Sequence, residues 1–272
     1  MNRLKKKHFP LFTIITITRN NLSGLEKTGA SVDRQTFEEH EWIVIDGASK
    51  DKTPDFLRKR RSQTRTARYP FTFVSEEDDG IYDAMNIGIE KARGHYIIFM
   101  NAGDIFATNN VLEILSEHTE KKPDFIYGDA LEPTENPDKR TYKRARRYKD
   151  LKWGMITHHQ SMIYRRHTIR DHKLRYSLHY EIASDYDFTA RFLLKSKKII
   201  YVPKPICIFE QGGISQQKAA LGRKEQYLIR EKLDIMPVGY NLWIICVQSM
   251  TWKLRTAWPG GYKMLRKLIT GR

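Results

Sequence analysis

The sequence predicts an α/β protein built on a mostly parallel, doubly wound sheet. Three observations carry that prediction. Short β-branched or aromatic runs alternate with helical segments through the first half of the chain. Polar or glycine-containing turns cut each run. Acidic residues stand just after successive runs, where such a sheet has its carboxyl edge.

Each element has a local cause. Residues 11–18, LFTIITIT, form an apolar run of buried-strand length. Arg19-Asn20-Asn21 ends it, and Asn21 or Ser23 suits the cap of a helix. Residues 41–45, EWIVI, form a second strand, broken by Asp46-Gly47-Ala48-Ser49. Thr53 followed by Pro54 opens a helix in a cap-then-proline order. Residues 71–74, FTFV, form a third strand, and 83–92 a helix stopped at Gly94. Residues 95–100, HYIIFM, form a fourth strand ending at Asn101-Ala102-Gly103-Asp104. A helix over 110–118 and a fifth strand over 124–127 follow. Crossovers in such an order are right-handed.

Composition narrows the class. The 272 residues are 40% hydrophobic and 29% charged, which allows a buried core and argues against a disordered chain. No apolar run is long enough to cross a bilayer. Cys207 and Cys246 are too few for a disulfide framework, so a reducing compartment is expected. MNRLKKKHFP lacks the apolar stretch of a secretory leader. The net charge of +16 favours polyanionic partners: nucleotides, nucleic acid or an anionic lipid surface. Much of it lies in four patches: 3–7, 58–68, 139–152 and 253–272.

Asp46 follows the second strand, Asp78 and Asp79 the third, and Asp104 the fourth. Carboxylates gathered at the carboxyl edge of a basic protein suit a hard divalent cation that shares a ligand's phosphates. They predict a site for a nucleoside diphosphate. Neither a P-loop nor a G-x-G-x-x-G after the first strand is present.

The segments IITITRN, WIVIDGASKDKT and VSEEDDGIYDAMNIGIEKARGHYIIFMNAGD, in that order, resemble GT-A glycosyltransferases of family 2. More narrowly they resemble exopolysaccharide enzymes of the colanic-acid type. The resemblance runs from about residue 11 to about 215 and takes in HHQSMIYRR, SDYDFTARFL and GGIS. It implies an inverting, Mg²⁺- or Mn²⁺-dependent transferase. Such an enzyme moves a sugar from a UDP- or GDP-linked donor to a polyprenyl-diphosphate-linked glycan. Its expected place is peripheral, on the inner face of the cytoplasmic membrane, with no nucleic acid partner.

The resemblance also implies roles. Asp46 binds the base or ribose, with Thr18 and Asn20 lining the same pocket. Asp78 and Asn86 face the donor. Asp104 holds the metal; Asn101 stands where the usual D-x-D has its first aspartate and, its amide being a weaker metal ligand, is placed with the nucleotide-sugar-binding residues. Asp185, opening a helix over 185–195, is the catalytic base. Asp187 is its rival, set on another side of the helix because i and i+2 do not share a face. His159 and Arg191 are assigned to the acceptor or diphosphate, with Arg191 also suited to pairing with Asp185. His158 and His159 precede an extended run and point apart, which excludes a two-histidine zinc site. Gly212-Gly213 suits either a loop over the donor or a tight turn. Glu210-Gln211 before it breaks the run of small residues expected there.

The expected organisation is a basic arm over 1–10, a catalytic domain over 11–217 and a helical extension over 218–272. Within the catalytic domain the nucleotide half is about 11–130 and the acceptor half about 131–217. In the extension, Trp243, Val247, Met250 and Leu254 fall at helical spacing. Trp252, Trp258 and Tyr262 stand among lysines and arginines. That composition suits an interfacial helix, with a helix packed on the domain as the plainer alternative. Two other functions stay open on sequence alone. One is a nucleic-acid-binding protein, motivated by the charge and by Tyr142 and Tyr148 within the basic run. The other is a non-catalytic scaffold that kept the fold, motivated by Asn101.

Overall fold

A computed structural model describes residues 9–134, 136, 139–210, 218–258 and 260–261. The basic arm at 3–7, Gly212-Gly213 and the tail from Tyr262 to Arg272 lie outside the described residues. In chain order the elements are β1 (Phe12–Thr18), α1 (Leu22–Asp33), β2 (His40–Asp46), α2 (Thr53–Gln63), β3 (Thr72–Ser75) and α3 (Ile81–Lys91). Then come β4 (Tyr96–Phe99), β5 (Ile105–Phe106), α4 (Val111–Glu117), β6 (Phe125–Pro133) and β7 (Arg140–Lys143). The last are β8 (Met162–Arg165), α5 (Arg166–Asp171), α6 (Ser184–Lys195), β9 (Ile199–Ile208), α7 (Ala219–Lys232) and α8 (Val238–Ala257).

The sheet runs β3-β2-β1-β4-β8-β6-β9-β5, with β7 paired to β6. β3, β2, β1 and β4 are mutually parallel, as the alternating strand and helix order of the first half of the chain predicts. β8 enters antiparallel between β4 and β6, which the alternating order alone did not predict. β6 therefore points the same way as β4, and β9 joins it in parallel. The fifth strand runs to Pro133, past the expected 124–127, because β9 and β7 give its second half partners.

Side-chain alternation along β1 divides the core into two layers. Ile15 and Ile17 pack with Ile43, Ala84, Met85, Tyr164 and Phe188 beneath α3 and α6. Phe12 and Ile14 pack with Leu25, Trp42, Leu57 and Leu112 beneath α1, α2 and α4.

Local signals set the helix ends. Asn21 caps α1, accepting the Gly24 N–H at 3.0 Å. At α2 the cap position is Lys52, one residue before the expected Thr53. The Asp51 carboxylate takes the free Thr53 N–H at 2.9 Å.

The extension is integral to the fold. α7 packs on α6, and α8 packs on α7. Arg230 is fully buried and donates from Nε to Asn241 Oδ1 at 2.7 Å, while Asn241 donates to the Tyr227 carbonyl at 3.0 Å. The basic run at 139–152 is also used within the domain. Lys143 pairs with Glu132 at 2.5 Å, Arg147 with Asp150 at 3.2 Å, and Tyr142 donates to Asp129.

Candidate active site

A cleft of about 660 Å³ opens between the carboxyl edge of β4, the turn before β8, the start of α6 and one side of α7. Asn101, Asp104, His158, His159, Gln160 and Asp185 share its wall.

The Asn101–Asp104 turn is held rigidly. Thr28 of α1 accepts the Gly103 N–H at 3.0 Å and donates to the Asp104 carbonyl at 2.8 Å. Gly103 has φ +107°, and the Glu210 carboxylate lies where a β-carbon would stand. That contact, with the Lys27–Glu210 pair at 3.4 Å, accounts for Glu210. Asp104 is buried and accepts from Gln160 Nε2 at 2.5 Å and from the Glu210 N–H at 2.8 Å. Burial pushes its pKa up to about 6. Asn101 Nδ2 lies 3.3 Å from His159 Nε2, and Asn101 Oδ1 is buried with no partner. Burial drives His159 down to about 3, so its ring is neutral.

Asn101 and Asp104 thus each bring a hard oxygen to the cleft wall, one without a hydrogen-bond partner and one in a poorly solvated carboxylate. That donor set fits a divalent cation. Among the described residues no three His, Cys, Asp or Glu side chains gather as a metal cluster. A cation there needs further ligands from water or substrate, which is the habit of Mg²⁺.

Asp185 sits in the first turn of α6, where Oδ1 accepts the Tyr186 N–H at 2.7 Å. Burial raises its carboxyl pKa to about 6. Asp187, the rival, is buried away from the cleft and paired with Arg191 at 2.6 Å. Arg191 therefore pairs with Asp187 and the Arg175 carbonyl, against the expected Asp185 or diphosphate. A four-residue spacing within one helix makes that pairing local. His158 and His159 do diverge: His158 reaches Glu132 at 2.8 Å and stacks on Phe209 at 4.2 Å. His158 and Lys143 together hold Glu132 down near 2.

The other expected donor residues are not among those lining this cleft. Asp46 is fully buried at the end of β2 and accepts from Ser49 N–H at 3.2 Å, Ser75 Oγ at 2.6 Å and Ser49 Oγ. Thr18 pairs with it across the sheet, and the Thr18 hydroxyl is buried without a partner. Asn20 joins the β1 and β2 loops, donating its N–H to Ser49 Oγ and accepting the Lys50 N–H, each at 2.7 Å. The Asp78 carboxylate lies against Gly47, accepting the Gly80 N–H at 3.0 Å. These four form a second cluster at the β1–β3 edge. Both ends of the Asn86 amide are taken by the main chain of Tyr176, its Nδ2 donating to the carbonyl at 3.0 Å and its Oδ1 accepting the N–H at 2.8 Å. Helical phase directs Asn86 to the 174–178 segment.

Gln160, Glu210, Tyr82 and Arg223, to which the sequence motifs assign no role, also stand on the cleft wall. Gln160 lay one residue beyond His159. Arg223 carried no signal, because nothing local tells that α7 folds back onto the cleft.

The sequence profile described as "Glycosyl transferase family 2" matches residues 13–198. This chain belongs to glycosyl transferase family 2. Among family relatives, a "PGL/p-HBAD biosynthesis glycosyltransferase" of Mycobacterium bovis is 28% identical over 198 residues, 67% of this chain and 69% of that protein. An "Uncharacterized glycosyltransferase" of Mycobacterium tuberculosis is 37% identical over 105 residues, 38% of this chain and 37% of that one. In fold, the family 2 chain is similar to S. aureus TarS 1–349 in complex with UDP-GlcNAc. The TM-score is 0.66 and the identity 16%, over 90% of this chain and 74% of that one. It is also similar to the mannosyltransferase PcManGT of Pyrobaculum calidifontis in complex with GDP-Man and Mn²⁺. There the TM-score is 0.64 and the identity 15%, over 97% and 80% of the two chains. The chain is thus a glycosyltransferase with a GT-A-like mixed sheet.

Proposed function

We propose that this family 2 glycosyltransferase is inverting and divalent-cation-dependent, moving a hexose from a nucleoside-diphosphate sugar to a polyprenyl-diphosphate-linked glycan. Exopolysaccharide or capsule biosynthesis is the setting the sequence motifs favour. The observation that carries the reading is one cleft holding Asn101 and Asp104 on one wall and Asp185 on another. The β1–β3 cluster of Thr18, Asn20, Asp46 and Asp78 is suited to the nucleoside.

Asp185 is the general base. It takes the proton of the acceptor hydroxyl as that oxygen attacks the anomeric carbon, and the nucleoside diphosphate leaves from the opposite face. Its raised pKa keeps the carboxylate basic while leaving it ionised at neutral pH. Asp104, with Asn101 beside it, would hold the cation, which would supply positive charge to offset the negative charge developing on the diphosphate. His159, neutral beside Asn101, is an uncharged hydrogen-bonding group for diphosphate or acceptor.

The membrane assignment rests on α8. No helix among the described residues is long and apolar enough to cross a bilayer. Asn241 and Ile244 turn inward, while Tyr240, Trp243 and Met250 stand exposed, as does Trp258 just past the helix end. An exposed aromatic face on a protein of charge +16 suits an anionic lipid surface.

The test is a thermal-shift screen of the purified chain against UDP, GDP and their sugars, with Mn²⁺, Mg²⁺ or EDTA. A cation-dependent rise for one nucleotide class, lost in Asp104→Ala, supports the reading. A rise that ignores EDTA and Asp104 refutes the cation assignment.

A further inference from the structure

The segment before α6 is fastened from the C-terminal extension. The buried carboxylate of Glu225, on α7, accepts the main-chain N–H groups of Glu181 at 2.9 Å, Ile182 at 2.9 Å and Ala183 at 2.8 Å. From the opposite side, Tyr82 of α3 donates its hydroxyl to the Ile182 carbonyl at 2.6 Å. Gly222, on the same face of α7, allows the close approach, since a β-carbon there would stand 3.0 Å from Ile182 Cγ2. Lys218, just before α7, pairs with Glu181. A buried carboxylate bonded only to neutral donors is costly, and three charge-assisted bonds onto consecutive amides offset that cost. Ala183 is the cap position of α6, and Asp185 follows two residues later.

We propose that Glu225 is a positioning residue for transfer: by gripping the amides of residues 181–183 it fixes the first turn of α6 and aims the Asp185 carboxylate into the cleft. The inference rests on the reading of Asp185 as the base. It makes the extension part of the catalytic apparatus.

The charge of Glu225 also acts on Asp185, adding to the upward shift that burial causes. The other titratable groups facing Asp185 are Tyr82 from α3, Tyr164 from β8 and Tyr176 from the preceding loop. Asp187 on the same helix is neutralised by Arg191. Asp104, His158, His159, Glu181 and Arg223 line the cleft around it.

The experiment uses the full chain and needs no substrate. Hydrogen exchange by mass spectrometry reads peptides spanning 177–187, and ¹³C NMR reads the Asp185 carboxylate, assigned with Asp185→Asn. In Glu225→Gln, the amides of 181–183 should exchange at least about 10-fold faster, with the β1–β4 sheet unchanged. The Asp185 titration midpoint should fall, because a neighbouring negative charge is gone. Unchanged exchange or an unchanged midpoint overturns the proposal. If Glu225→Gln gives no cooperative melt, Glu225→Asp is read instead: its shorter arm should speed exchange while the midpoint holds, and unchanged exchange is again fatal. Turnover that survives Asp185→Asn would sink the base reading separately.

Discussion

Asp185 and Asp104 are both carboxylates raised to about 6 by burial, and each makes a prediction about pH. A general base contributes roughly 10²- to 10⁴-fold, so Asp185→Asn is expected to lose transfer by that factor and keep nucleotide binding. Parallel turnover and thermal-shift measurements check this. Wild-type activity should rise with pH through about 6 as Asp185 ionises. Stability runs the other way. Between the unfolded pKa and about 6 the native state holds more protons, so the contribution of Asp104 falls as pH rises. Asp104→Asn should therefore gain about 2 kcal/mol relative to wild type between pH 4 and 7 without divalent cation. Denaturant melts at the two pH values decide it, and a gain that is larger at pH 4 contradicts the sign.

At the scale of elements, Asn86 separates a structural from a donor-binding role. It ties α3 to the Tyr176 main chain through both ends of its amide. Asn86→Ala should cost about 1 to 3 kcal/mol of stability and leave nucleotide affinity unchanged, measured by denaturant melts and nucleotide titration. Gly103→Ala would meet both a positive φ and the Glu210 carboxylate. It should cost about 1 to 3 kcal/mol and weaken cation-dependent nucleotide binding, because it distorts the turn that presents Asp104. These positions also show what was readable locally. Asn21 as a cap, β1 as a buried strand and Gly103 in a polar turn follow from neighbours in the chain. The Arg191–Asp187 pair is equally local, four residues apart on one helix, whereas which way Asn86 turned depended on helical phase against a distant segment.

At the scale of the molecule, the basic charge and the aromatic face of α8 predict reversible binding to anionic vesicles. Co-sedimentation with phosphatidylglycerol vesicles should weaken by about 10-fold in Trp243→Ser/Tyr240→Ser and fall with added salt. Equal binding to neutral vesicles at high salt would contradict the charge argument.

Period, composition and short motifs lie along the chain, so they reached the α/β class, the parallel β3-β2-β1-β4 half and the polar Asn101–Asp104 turn, and the motif resemblance reached family 2 membership. Contacts between distant segments are not encoded in any window of sequence. Antiparallel insertion of β8 and the return of α7 to grip the residues before Asp185 both depended on them. Each follows from what packs best once both layers of the sheet must be covered and every buried amide given a partner.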